Sequence, residues 1–283
     1  MLAPEASYWL RQQGLEELAS RTPLGASSGS QVTRYTFACG RSVVWKEQPG
    51  MSYNYFQAEA DGLAALRASN TLAVPRVFFI GENCLLMEDL MPVAPGNAFW
   101  ELLGRQLAQL HQQPGPHFGF HRDNFIGLSP QSNRVTQNGY EFFAECRLLA
   151  QGQAALDRGL LSAAQMRQLD SLCTKLPERI PDLPAVLIHG DLWSGNLMAN
   201  AEGEPALIDP AAHWGWALAD LAMTQLFGGF AEAFYEAYLA ELPAHEHWQE
   251  SAPVLNLYHQ LNHLNLFGLT YSDSVHSALK RLA

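Results

Sequence analysis

The chain predicts an α+β protein of two lobes, a small N-terminal antiparallel sheet with one helix and a larger, mainly helical C-terminal lobe. Three observations carry this. Strand-like runs at 31–38, 42–48, 76–80 and 84–88 are separated by the hairpin signals Gly40-Arg41 and Gly81-Glu82-Asn83. Leu90 to Gly96, with Pro92 and Pro95, then interrupts the pattern as a hinge would. Beyond it, apolar residues recur at helical spacing. The expected division is an N-terminal lobe over 1–89, a hinge over 90–96 and a C-terminal lobe over 97–283.

In chain order, residues 5–20 read as an amphipathic helix, with Trp9, Leu10, Leu15 and Leu18 among polar neighbours. The strand-rich segment follows, and 53–69 returns to helical period. After the hinge, Asn97 is placed to cap a helix whose Phe99, Leu102, Leu103, Leu107 and Leu110 make one stripe. Helical patterns recur at 138–158, 162–176, 217–240 and 250–282. A long loop over 114–137 and strands around residues 189–196 interrupt them. There is no internal repeat and no low-complexity tract.

With 283 residues, 48% hydrophobic and 16% charged, the chain can form one large domain or two lobes with their own cores. A formal net charge of -11 argues against nucleic acid as a partner, because such binders carry basic footprints. It neither requires nor excludes a cationic acceptor. The only lysines are Lys46, Lys175 and Lys280, so the place of each is informative. Cys39, Cys84, Cys146 and Cys173 are scattered, with no Cys-x-x-Cys pair to suggest zinc or a disulfide framework, and a reducing cytoplasm fits them. The N-terminus lacks a basic region followed by an apolar core, and no stretch approaches a membrane span. A soluble, unexported protein without membrane contact is expected.

The chemistry concentrates in His189-Gly190-Asp191-Leu192-Trp193-Ser194-Gly195-Asn196 and in Asp209, which ends the apolar run Ala206-Leu207-Ile208. Asp, Ser, Gly and Asn all favour turns, so the octapeptide alone would also serve as a polar link between strands. A carboxylate closing an apolar strand argues for more. Phosphoryl transfer needs one carboxylate to orient an acceptor hydroxyl and take its proton. It also needs a carboxylate and an amide oxygen to hold Mg²⁺ on nucleotide phosphates. Asp191, Asn196 and Asp209 have the spacing kinases use for these tasks.

In the helix over 53–69, Glu59 falls on the stripe of Phe56, Leu63 and Leu66, and a buried carboxylate calls for a cation. Lys46, in the strand Val43-Val44-Trp45-Lys46, is the upstream candidate. In kinases a strand lysine holds the nucleotide phosphates and a helix glutamate positions it. The alternatives are a solvated strand lysine and a glutamate at the helix edge. Gly25 to Ser30 sits where a phosphate-covering turn would belong, though an ordinary hairpin turn explains it as well. Met87-Glu88-Asp89-Leu90 enters the hinge, where kinase backbone meets adenine, and also reads as a plain strand end. His259 and His263 have the spacing of a helical zinc pair but lack the glutamate of His-Glu-x-x-His, which favours interior or pocket histidines. His245-Glu246-His247 reads as a surface loop.

With Lys46, Glu59, Asp191, Asn196 and Asp209 in this order, the chain resembles the protein-kinase-like phosphotransferases, the group of aminoglycoside and choline kinases. The octapeptide is more selective. Tryptophan after Asp-Leu resembles the fructosamine kinase (ketosamine-3-kinase) family, whereas aminoglycoside kinases usually show His-Pro in place of Trp193-Ser194. Further likeness spans nearly the whole chain. It includes Phe118 to Gly127, Pro130 to Asn133, the Phe142-Phe143 to Arg147 helix, Leu226 to Phe230, and Leu261-Asn262-His263 to Phe267-Gly268. The departure is in the first turn, where the family commonly has paired glycines, sometimes followed by a redox-sensitive cysteine. Gly25-Ala26-Ser27 stands there instead, so thiol regulation through that loop is not expected.

The resemblance implies ATP- and Mg²⁺-dependent phosphorylation of the sugar of ketosamines, normally at the 3-hydroxyl. The acceptors would be fructosamine or ribulosamine adducts, free or protein-bound, and the phosphate would destabilise the adduct and release the amine in deglycation repair. It makes Asp191 the base, Asn196 and Asp209 the Mg²⁺ ligands, and Lys46 with Glu59 the phosphate anchor. Met87, Glu88 and Leu90 become part of the nucleotide site, with backbone contacts to adenine from Glu88 and Leu90. His189 is expected to brace the catalytic loop and Asp220 to tie it. Trp193, Trp214 and Trp216 are candidates for a sugar wall, with core packing the equal alternative, and His263 lies in a segment that could complete the pocket. The rivals are a kinase of the same fold for an aminoglycoside or aminoalcohol, and a nucleotide-binding pseudoenzyme.

Overall fold

The computed structural model describes residues 3–27 and 29–282. The first helix, α1 (Pro4–Gln12), is shorter than the expected 5–20, because Gly14 turns the chain at φ 69° and Leu18 opens a strand. The N-terminal half continues through β1 (Leu18–Ser27), β2 (Ser30–Phe37), β3 (Ser42–Glu47), α2 (Tyr53–Ala68), β4 (Val77–Ile80) and β5 (Cys84–Glu88). The five strands form one antiparallel sheet in the order β1-β2-β3-β5-β4.

Successive side chains of a strand point to opposite faces, and this sorts β3. Val43 and Trp45 pack with Ala6, Leu10 and Leu15 on the α1 side. Val44 and Lys46 take the other face, where Val44 meets Phe56 of α2 together with Leu85 and Met87 of β5. That face carries the site.

After residue 96 come α3 (Phe99–His111), the hairpin β6 (Asn124–Ile126) and β7 (Ser129–Gln131), and α4 (Gly139–Phe143), which runs through a π-helical turn over 144–149 into α5 (Ala150–Asp157). Ala98, not Asn97, precedes α3, and no side chain caps it. The chain goes on through α6 (Ala163–Thr174), α7 (Leu176–Arg179), β8 (Val186–Ile188), β9 (Leu197–Ala199), β10 (Pro205–Leu207) and β11 (His213–Gly215). It ends with α8 (Ala217–Leu226), α9 (Glu232–Glu241), α10 (Trp248–Phe267) and α11 (Ser272–Leu282). The helices expected over 217–240 and 250–282 are each broken. Gly228 and Gly229, at φ 107° and 80°, separate α8 from α9, and Gly268, at φ 72°, ends α10.

The helical half holds the largest core, and α2 shares in it. Leu63 and Leu66, with Leu72 and Val74, pack among the C-terminal helices, and Ala73 bridges Ala206. The same helix therefore carries Phe56 under the sheet and anchors to the other half. Segment 90–96 lies along the β9–β10 hairpin, with Val93 N donating to Ala199 O at 3.3 Å and Gly96 N to Gly203 O at 3.0 Å. All four cysteines are free. Among the described residues, no helix is long and apolar enough to cross a membrane.

Candidate active site

Glu59 shares the buried stripe of α2 and is only 9% exposed, so its carboxylate requires a partner of opposite charge. Lys46 supplies it from β3. Its Nζ lies 2.9 Å from each Glu59 carboxylate oxygen and 2.8 Å from Asp209 Oδ1. Burial alone would lower the lysine pKa, but Asp209 and Glu59 together outweigh it and raise it, so the ammonium stays charged. Burial, seconded by Asp209 and opposed by Lys46, pushes Glu59 up to about 7.

Asp209 follows β10 after Ile208 and sits at φ 53°, a left-handed conformation that Asp tolerates better than most residues. The reversal brings its carboxylate to Lys46. His189 holds the preceding residue, its Nε2 donating to Ile208 O at 2.9 Å while Nδ1 accepts from Asp191 N at 3.3 Å. Burial lowers its pKa, which suits the neutral ring with the proton on Nε2 that this pairing requires.

Asp220, wholly buried in the first turn of α8, accepts from His189 N at 2.7 Å and Gly190 N at 2.9 Å. His111 Nε2 stands 3.4 Å from the same carboxylate. Burial would raise the Asp220 pKa, but His111 and His189 outweigh it and lower it. Gly190 turns at φ 80°, and a Cβ there would lie 2.3 Å from Ala211 O, so the catalytic loop needs glycine at this point.

Asn196 closes a single 3₁₀ turn, and its Nδ2 donates to Asp191 O at 2.8 Å and to Asp191 Oδ2 at 3.0 Å. The Asp191 carboxyl is pushed up to about 7, first by burial and further by Asp209 and Asp220, against the Asn196 bond. A carboxyl poised near neutrality suits a general base.

Lys46, Asp191, Asn196 and Asp209 line one cleft of about 900 Å³, a volume in the range of small-molecule sites, with Glu59 behind Lys46. Met87, Glu88 and Leu90 line it as well, as do Gly25 and Gly29 of the β1–β2 connection. Ser28 of that connection lies outside the described residues. Asp89 fixes the chain here by accepting from Arg34 at 2.5 and 3.0 Å and from Ser42 at 2.6 Å. Burial works to raise its pKa, and these bonds overcome it and lower it.

Rings crowd a second part of the cleft. Trp193 lies edge-on to Phe227 at 5.5 Å, Phe227 edge-on to His263 at 5.1 Å, and His263 stacks on Tyr271 at 5.0 Å and Phe267 at 5.5 Å. Trp193 and His263 therefore share a wall. Trp214 is not part of it: its ring in β11 packs on Gly115, where a Cβ would lie 2.2 Å away. Trp216 is buried, donating to Leu183 O at 3.2 Å. His245 is no surface-loop residue either, being 9% exposed and bonded to Tyr238 at 3.0 Å. Phe227, Phe267 and Tyr271 were not among the residues expected from the sequence. The signal that could have found them is the pair of glycine breaks beside them, Gly228-Gly229 and Gly268.

The chain's own donors were tested against Mg²⁺ by their chemistry. No group of three or more His, Cys, Asp or Glu among the described residues could hold a metal by itself. Mg²⁺, however, characteristically binds through one or two carboxylates together with substrate phosphates. Asp209 offers a carboxylate and Asn196 an amide oxygen, since the Asn196 nitrogen is committed to Asp191. With one ammonium among Glu59, Asp209 and Asp191, the cluster carries excess negative charge, as the raised Glu59 and Asp191 pKa values register. The donor set fits a hard dication.

A sheet and a helical half meeting at such a cleft, with these carboxylates, amide and lysine, define a protein-kinase-like phosphotransferase. The fructosamine kinase family model matches residues 5–283. A protein named as a probable ketoamine kinase in Synechocystis sp. is 40% identical over 247 residues, 83% of this chain and 81% of that protein. The chloroplastic protein-ribulosamine 3-kinase of Arabidopsis thaliana is 34% identical over 232 residues, 79% of this chain and 71% of its own. A crystal structure from Thermobifida fusca, described as a fructosamine-3-kinase, superposes with a TM-score of 0.89 at 32% identity, covering 99% of this chain and 98% of that one. An ADP-bound aminoglycoside phosphotransferase, 13% identical with a TM-score of 0.64 over 99% of this chain and 97% of its own, shares the fold. The chain belongs to the fructosamine kinase family.

Proposed function

We propose that the protein transfers the γ-phosphoryl group of ATP to the sugar of ketosamines, fructosamine or ribulosamine adducts, at the 3-hydroxyl, as a step of deglycation in a reducing cytoplasm. One observation carries the reading. The base candidate Asp191, the pair Lys46–Glu59, the oxygen donors Asn196 and Asp209, and an aromatic wall containing Trp193 all belong to a single cleft in a chain of this family.

In this reading Lys46 binds nucleotide phosphate while Glu59 holds the ammonium in place. Asp191 accepts the proton of the attacking hydroxyl, and Asn196 fixes which carboxylate oxygen faces it. Asn196 and Asp209 would hold Mg²⁺, which when bound neutralises charge on the transferring phosphate. His189, through Ile208 O, and Asp220, through His189 N and Gly190 N, keep the two loops in register. Met87, Glu88 and Leu90 border the adenine.

The experiment is incubation with Mg-ATP and fructosyl-lysine or ribulosyl-lysine, followed by phosphorus NMR, which should show a sugar phosphate. Turnover of an aminoglycoside or choline with none on any ketosamine overturns the acceptor. Tight ATP binding without transfer to any acceptor overturns the enzyme.

A further inference from the structure

The ring wall is uncharged and opens to solvent, and this constrains the acceptor. Cleft residues that carry charge are Arg34, Lys46, Glu88, Asp89, Asp191 and Asp209, all in the sheet, at the hinge or at the transfer centre. From Met223 to Tyr271 the described lining side chains hold no Lys, Arg, Asp or Glu. The histidines there add no charge: burial lowers His259 to about 3 and lowers His263 as well. Phe267 is 59% exposed, and Leu269, in the same turn, is 74% exposed, so the wall continues outward as an apolar lip.

We propose that this wall, Phe227, His263, Phe267 and Tyr271, receives the amine portion of the ketosamine and selects adducts whose nitrogen bears an uncharged alkyl or aryl chain over adducts at the α-nitrogen of free amino acids. The inference rests on the ketosamine reading above and names the substrate class within it. Aromatic faces attract both the C–H surface of an alkyl chain and the secondary ammonium of the adduct. An α-carboxylate one carbon from that nitrogen meets the same rings without a cation, and desolvating it goes uncompensated. Lys46 is committed to Glu59 and Asp209, and Arg34 to Asp89, so neither turns toward it. The open lip lets the alkyl chain lead out to solvent, which suits a lysine side chain still attached to a polypeptide.

Three fructose adducts, of butylamine, benzylamine and glycine, share sugar and linkage and differ only beyond the nitrogen. With saturating Mg-ATP, kcat/KM for the glycine adduct should fall at least about tenfold below the other two, the scale expected for an uncompensated carboxylate. Phe267→Ala and Tyr271→Ala should each reduce kcat/KM for the butyl and benzyl adducts by roughly threefold or more and narrow that gap, leaving KM for ATP unchanged. Phe267 is largely exposed, so its variant keeps the fold. A glycine adduct turned over within about twofold of the butyl adduct overturns the inference, as does a gap that neither variant narrows, and in both cases the ketosamine reading stands. Failure to phosphorylate any of the three overturns the ketosamine reading, and the inference falls with it.

Discussion

Asp191→Asn should remove activity and, in the metal- and nucleotide-free protein, raise stability. The carboxyl moves from 3.8 to about 7 on folding, chiefly through burial, with Asp209 and Asp220 adding repulsion. A displacement of that size corresponds to a ceiling of about 4 kcal/mol against the charged form. Asp191 borders the open cleft, so solvent reduces this to about 1–2 kcal/mol. Asparagine keeps an oxygen to accept the 3.0 Å bond from Asn196 and carries no charge. For a chain of this length the gain appears as a rise in Tm of about 2–4 °C. The sign with pH follows from proton linkage. Between the unfolded and folded pKa values the native protein binds more protons, so wild-type stability falls as pH rises through that window, and the full penalty applies above about pH 7. Thermal unfolding at pH 8 should therefore show the full gain, and at about pH 5 less than half of it. The same preparation should lose about 10²–10⁴-fold in kcat, the range for removing a general base. A lower Tm at pH 8, or a kcat within about tenfold of wild type, refutes the reasoning.

Glu59→Gln leaves Lys46 with Asp209 as its remaining charged partner, and kcat/KM for ATP should drop about 10–100-fold in steady-state assays; an unchanged value removes Glu59 from the site. Gly104→Ala places a Cβ 2.3 Å from Phe234 O where α3 crosses α9, so overpacking of about 1–3 kcal/mol should outweigh the gain of roughly 1 kcal/mol in helix propensity and lower the urea midpoint. Asp89 has a pKa lowered in the fold, chiefly by Arg34 and Ser42 against burial, so its stabilisation is present above the unfolded value of 3.8 and is lost as pH falls through the folded one. Asp89→Asn should cost about 1–2 kcal/mol at pH 7, and thermal unfolding scans should show that difference closing below about pH 4.

The parts of this structure that sequence makes legible are those in which one residue creates a demand that only a few others can meet. Glu59 on the stripe of Phe56, Leu63 and Leu66 demands a cation, and Lys46 was the upstream lysine available; the two lie 2.9 Å apart. Asp209 at the end of an apolar strand is similar. Hairpins marked by Gly40-Arg41 and Gly81-Glu82-Asn83 fall between β2 and β3 and between β4 and β5. Periodicity, by contrast, does not register a break when apolar residues continue in phase across it. Leu15 and Leu18 continued the helical stripe past Gly14, although Leu15 packs in the core from a turn and Leu18 starts β1. Phe227 and Tyr271 looked like positions within long helices, whereas glycine turns aim both rings into the cleft. Trp214 and Trp216 could not be separated from Trp193 by composition. Pairing of β11 with β8 leaves Trp214 on Gly115 and Trp216 in the core.

Counting donors at Lys46 indicates what must give way when the proposed nucleotide enters. An ammonium has three N–H groups, and Glu59 Oε1, Glu59 Oε2 and Asp209 Oδ1 all lie within 2.9 Å of Nζ. A phosphate oxygen reaching Lys46 displaces one of them. Glu59 is the costlier to release, because it is 9% exposed on the apolar stripe of α2 and would be left as an unpaired buried carboxylate. Asp209 borders the open cleft and, beside the Asn196 amide oxygen, has a dication as its alternative partner. Exchange of the Lys46–Asp209 contact for a Lys46–phosphate and an Asp209–metal contact conserves the count of charge pairs, and the added cation offsets the negative excess that raises Asp191 and Glu59. Nucleotide without metal leaves Asp209 without a partner, and metal without nucleotide leaves Lys46 still bound to it. Each should therefore bind more weakly alone than in the other's presence, and the coupling resides in one 2.8 Å contact between the two halves of the molecule.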